Sequence, residues 1–194
     1  MDKAKEIVNG SNNWLQFINS AAYTYKYPFE DQILIFAQRP DAKACATMEF
    51  WNKRFHRWVN KGAKGIPLID YNSGGYPKLR YVFDISDTHT TRYTVQDVSL
   101  WEFNKEKHGE AILNLENSFN ISSDDAFLEN SNLELRIYKI AQRLTNLRLQ
   151  DVLYDIESYC NDSLMEELDE YNTKVITRDI LSKSVAYMTM KRMD

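Results

Sequence analysis

Apolar residues recur along the chain with two different periods, and the change from one to the other divides it. Trp14, Leu15, Phe17, Ile18, Ala21 and Ala22 fall at helical spacing and predict a helix over 13–25, with the Asn/Ser cluster before it as the source of an N-cap. After Pro28, the residues Phe29, Ile33, Leu34, Phe36 and Ala37 mark a second helix, closed by Arg39-Pro40-Asp41. Glu30 and Asp31 fall in its first turn, where they favour the positive end of the helix dipole. A short third helix is expected over 48–55, with Trp51 and Phe55 one turn apart on the same side.

The period then becomes that of strands. Gly62 and Gly65 bracket a turn, Ile66-Pro67-Leu68-Ile69 is a short apolar run, and Asn72-Ser73-Gly74-Gly75 is a hairpin signal. Residues 79–85 alternate large apolar and polar side chains well enough to be the return strand, and these two strands are expected at the centre of a sheet. Beyond Trp101 the spacing is helical again, over 133–153 and 182–193, and 117–132 is polar enough for a connection. The pattern predicts an α+β fold in which N-terminal helices pack on a small antiparallel sheet with a central β-hairpin, followed by a helical C-terminal extension.

Charge follows the same division. The 194 residues carry a net charge of −4, but residues 1–109 hold 15 basic and 12 acidic side chains while residues 110–194 hold 9 and 16. An α+β core over 1–109 and an acidic helical extension over 110–194 are therefore expected, with only the first suited to a polyanion. A hydrophobic content of 43% is that of a folded protein. Cys45 and Cys160 make no CxxC pair, so neither a disulfide framework nor a cysteine-rich zinc site is indicated, and both read as small buried apolar groups. No apolar run approaches the roughly 20 residues needed to span a bilayer and the first residues lack a signal-peptide core, so a soluble cytoplasmic protein with no membrane partner is expected.

The candidate chemistry lies in Trp51 to Gly65, WNKRFHRWVNKGAKG, which has five basic side chains, three large aromatics and no acid. Cations pair with phosphates while rings and guanidinium planes stack on unpaired bases, a combination suited to single-stranded DNA or RNA. Trp51 and Phe55 are expected in the scaffold. Arg54, Arg57, Trp58, Lys61 and Lys64 are left to contact a strand, joined by Tyr71, Tyr76, Lys78 and Arg80 of the hairpin. The bland alternative is a glycine-rich hairpin entrance with solvated lysines.

The block WNKRFHRWVNKGAKGIPLIDY, followed by LRYVFDISDTHT, resembles the N-terminal single-stranded-DNA-binding domain of ArdC-type antirestriction proteins. The matching residues are Trp51, Val59, Lys61, Gly62, Lys64, Gly65 and Ile66, then Val82, Phe83, Asp84, Ser86 and Thr88. More weakly, 27–45 and the closing SVAYMTMKR are similar to the form of this domain at the start of large helicase and methylase polyproteins of conjugative elements. The resemblance implies an anti-defence protein of a mobile element that binds single-stranded DNA and is not itself an enzyme. The H-E-x-x-H motif of the family's metalloprotease domain does not occur, so protease activity is not implied.

Two other functions stay open. An inhibitor of a host defence nuclease, including a CRISPR effector or its guide RNA, would use the same basic surface or the acidic helices. A metal-dependent nuclease would use Asp84, Asp87 and His89 with Mg or Mn, since such ligands hold an ion that activates water; otherwise no cofactor is expected. Against the nuclease, Asp84 with Ser86 and Thr88 also fits a capped turn at a strand end. His56 reads as a phosphate or solvent contact, His108 as a surface residue, the run 162–170 as a solvated helix face or an imitation of nucleic-acid charge, and Tyr187, Met188 and Met190 as core or an interdomain surface.

Overall fold

The computed structural model describes residues 5–7, 9–71, 76–92, 98, 103–121, 132–159 and 164–193. The fold is α+β, and the chain divides into two compact units, 1–101 and 102–194. The division falls ahead of the boundary expected at 109, because the helix Lys105–Ser118 belongs wholly to the second unit. Among the described residues no helix is long and apolar enough to cross a membrane.

The first unit opens with α1 (Ser11–Thr24) and α2 (Phe29–Gln38). The Asn/Ser cluster does not cap α1: Gly10, at φ 119°, holds the N-cap position, and Asn13 donates its amide backwards to the carbonyls of Glu6 and Asn9. Phe17 of α1 packs edge-on against both Phe29 and Phe36 of α2, with centroids 5.7 Å apart in each pair. The chain continues through β1 (Cys45–Ala46), α3 (Met48–Phe55), β2 (Arg57–Val59), β3 (Ile66–Asp70), β4 (Lys78–Asp84), a 3-10 turn (Ile85–Asp87) and β5 (Thr88–Thr90). Thr47 accepts from the Phe50 amide at the start of α3, and His56 ends that helix in the left-handed conformation at φ 51°.

Two of these pairings are successive segments of one antiparallel ribbon. β3 pairs with β4 from Ile66 opposite Val82 to Asp70 opposite Lys78, and β2 pairs with β5 from Arg57 opposite Thr90 to Val59 opposite Thr88. Residues 60–65 on one strand and the 3-10 turn on the other interrupt the ribbon, bridged by the Asn60 amide on the Asp87 carbonyl at 2.8 Å. β1 adds to β4, so β4 is central and β3 lies at the edge rather than in the middle of the sheet. Pro67, which has no amide hydrogen, is tolerated in that edge strand. The hairpin turn expected at 72–75 lies outside the described residues.

Ile66, Leu68 and Val82 project to one side of the ribbon and close a core with Ile35 and Ala42. Cys45 packs against this core, and burial, with the charge of Asp84 nearby, pushes its thiol up to about 12. Asp84, 2% exposed, joins the pieces. It accepts from the amides of Lys43 (2.8 Å) and Ala44 (2.9 Å), and from the amide (3.0 Å) and hydroxyl (2.6 Å) of Ser86. Burial opposes its ionisation, but these hydrogen bonds outweigh burial and hold the carboxyl below its ordinary value.

The second unit is helical, with α4 (Lys105–Ser118), α5 (Leu133–Tyr159) and α6 (Glu170–Met193). Ile137, Ala141 and Ala186 form its core, and Leu133, Met190 and Met193 pack against it, so the start of α5 meets the end of α6. α6 begins well before residue 182. Asp169 supplies the start signal by accepting from the Asn172 amide, and the acidic run therefore spans a 3-10 turn at Leu164–Glu167 and this cap instead of one helix face. Arg136 reaches from α5 to Glu116 of α4 through two hydrogen bonds of 2.7 Å.

Replacing Asp84 by Asn puts an amide donor among backbone donors, and should cost about 1–3 kcal/mol of stability at neutral pH, measured by urea unfolding. Because the carboxyl binds its proton more weakly in the folded chain than in the unfolded one, the wild-type advantage should be complete above pH ~4, the ordinary carboxyl range, and vanish as pH falls through the lowered folded value.

Candidate nucleic-acid interface

The interruption of the ribbon is where the cations emerge. The Ala63 amide donates to the Asn60 carbonyl at 3.0 Å, and Gly62, third of the four residues, has φ 87°, the backbone of a type II turn. That geometry disfavours any side chain at Gly62, and it carries Lys61 and Lys64 out from the ribbon, both exposed. Gly65 closes the segment for a different reason: a Cβ there would stand 3.0 Å from Phe83 Cζ and 3.1 Å from Tyr81 Cβ. The main chain beside Lys64 therefore lies directly against two aromatic side chains.

On the β2–β5 side of the interruption, Trp58 stands opposite His89 and is 51% exposed. His89 Nδ1 lies 2.7 Å from Asn60 Oδ1, which fixes the ring beside the turn. The other face of this pair is closed. Arg57 is only 8% exposed, with Nε donating to Thr88 Oγ1 at 2.8 Å and Nη2 donating to the Thr88 carbonyl at 3.1 Å. Arg57 thus staples β2 to β5 and is not free to meet a phosphate, contrary to the expectation from composition, because strand alternation turned it inward.

The other expected contacts divide in the same way. Arg54, in the last turn of α3, and Lys78, at the start of β4, are exposed, and so are Tyr71 and Tyr76 at the ends of the hairpin. Arg80 is committed elsewhere: its Nη2 pairs with Asp31 Oδ2, and its guanidinium lies 5.9 Å from the centroid of the Tyr27 ring. Trp51 is core, with its indole Nε1 donating to the Phe83 carbonyl at 2.9 Å. His56 is exposed where the chain turns from α3 into β2.

Asp84, Asp87 and His89 are drawn to three different partners. Asp84 is occupied by backbone amides and Ser86, Asp87 accepts from Arg39 Nη1 at 3.2 Å through both oxygens, and His89 faces Asn60. The Arg39 guanidinium is desolvated, which lowers its pKa, but the carboxylate of Asp87 more than offsets this and leaves the net shift upward. Among the described residues no three His, Cys, Asp or Glu side chains stand close enough to share a metal ion.

Tyr81, not among the contacts expected from the sequence, is 51% exposed on the side of the ribbon away from the core. The signal was present: Val82 is an inward residue, so its neighbour faces out. Comparison with protein-family models, with curated proteins and with solved structures finds no match for this chain.

Arg57→Ala should lower stability by about 1–3 kcal/mol in urea unfolding, because it leaves Thr88 without its cross-strand donor. The same variant should leave the salt dependence of any nucleic-acid binding unchanged, in contrast to the loss of an exposed lysine.

Proposed function

We propose that the first unit binds single-stranded nucleic acid without strong sequence preference, in the antirestriction-type role that the resemblance to the ArdC family implies. One observation carries this reading: the type II turn at the ribbon interruption leaves Lys61 and Lys64 exposed directly after β2, the strand that exposes the Trp58 ring. Ammonium groups on a protruding turn take phosphates, and a half-exposed indole on the strand leading into that turn offers a face to an unpaired base. A duplex keeps its bases stacked inside and gives the indole nothing to meet. The protein acts here by holding a strand, with no chemical step and no cofactor.

A second reading places the contact on a defence nuclease. Residues 149–173 contain eight acids and no base, and Tyr154, Tyr159 and Tyr171 are exposed among them, a combination suited to a basic groove. Binding by the isolated protein to labelled strands separates the two readings, because the second needs the nuclease present.

The test is fluorescence anisotropy with a labelled oligothymidylate and with a duplex of equal length over a range of salt. The single strand should bind more tightly. Exchanging both Lys61 and Lys64 for alanine should reduce the slope of log affinity against log salt by about 1.4, from roughly 0.7 for each phosphate contact on a single strand. An unchanged slope overturns the assignment of these lysines, and equal affinity for duplex overturns the single-strand reading.

A further inference from the structure

The outward side of the β3–β4 segment continues the surface past the turn. Ile66, Leu68 and Val82 face the core, so alternation puts Pro67, Tyr81, Leu79 and Phe83 on the opposite side. Leu79 is 61% exposed, Tyr81 half exposed, and Phe83 partly buried. Tyr81 and Phe83 rest on the backbone of Gly65, the residue after Lys64, so this apolar side begins where the cationic turn ends. Lys78, opposite Asp70, belongs by alternation to the core side, and Tyr76 is exposed just beyond the end of β4.

Among the described residues of the ribbon, no carboxylate belongs to this side. Asp84 is buried under its hydrogen bonds and Asp87 is held by Arg39. Asp70 lines a pocket with Glu30, Asp31 and Arg80 next to α2. An apolar, aromatic strip that begins at a cationic turn and carries no acid of the described ribbon is complementary to unpaired bases with their phosphates at the turn. We infer that the Tyr81–Leu79 side of the ribbon is a base-stacking platform for single-stranded nucleic acid, with Tyr81 as the ring that carries the contact. The platform extends the site at Lys61 and Lys64 and rests on the nucleic-acid reading above. Tyr81 supplies its flat face, so its hydroxyl is dispensable, and Gly65 sets the position of the ring because any side chain there would displace it.

Anisotropy with labelled oligothymidylate at fixed salt tests this with Tyr81→Ala, Tyr81→Phe and Leu79→Ala, each checked for an unchanged melting temperature. Tyr81→Ala should weaken binding about tenfold, within the range for one stacked base. Tyr81→Phe should stay within about twofold of wild type. Tyr81→Ala should also keep the wild-type salt slope, since it removes a ring and not a phosphate contact. Should Tyr81→Ala fail to fold, cross-linking a bromodeoxyuridine strand to the wild-type protein under ultraviolet light decides the question: an adduct on Tyr81 supports the platform and adducts confined to other residues overturn it. Wild-type affinity in the folded Tyr81→Ala and Leu79→Ala variants overturns the platform while leaving the lysine turn in place. No single-strand binding by the wild type overturns both. Self-association in sedimentation that Tyr81→Ala abolishes, with strand affinity unchanged, assigns this side to a second copy of the chain and also overturns the platform.

Discussion

The carboxylate of Asp84 governs the geometry of the first unit. Lys43 and Ala44 come from the segment after α2, Ser86 from the 3-10 turn after β4, and all three donate to the same buried side chain. A neutral group could not satisfy these donors as well, because hydrogen bonds to a charged acceptor are the stronger kind and the amides would otherwise be buried without partners. The consequence reaches the surface. The 3-10 turn that Asp84 starts is the element across which Asn60 bonds, and Asn60 begins the turn that carries Lys61. Arg39 holds the same 3-10 turn from α2 through Asp87 and Ser86.

This arrangement separates charges by use. Asp84 and Asp87 are spent inside the fold, on amides or on Arg39, while Lys61, Lys64 and Lys78 face solvent. Three arginines of the first unit differ from these lysines, although Arg54 is exposed like them. Arg39, Arg57 and Arg80 each hold structure together, as expected of a planar fork that can meet several acceptors at once, whereas the lysines stay outside. A sequence count of positive charge therefore overstates what a ligand can reach, since part of that charge holds the protein's own strands and helices.

Long, periodic elements were legible. The helices around Phe17, Ile35 and Trp51 and the hairpin around Leu68 and Val82 fall where spacing predicts, because burying one face demands a repeating pattern. β1, β2 and β5 were not, since two or three residues are too few to show a period, and such strands exist only because a partner is already in place. The early start of α6 escaped notice because its first turns are polar and half exposed, and its signal is the single cap at Asp169.

The sequence by itself determined the α+β class, the hairpin, the glycines of the turn and the gathering of cations and rings between Trp51 and Gly65. Each of these follows from local pattern or local backbone chemistry. Tertiary structure alone decided which members of that cluster face outward. Arg57 and Trp58 are neighbours of similar promise in the sequence, yet pairing with β5 buries the first against Thr88 and exposes the second opposite His89. In the same way Arg80 is drawn to Asp31 while Tyr81 is turned to solvent. The physical reason is that consecutive strand residues point to opposite sides, and which side is covered depends on a helix distant in sequence that packs there.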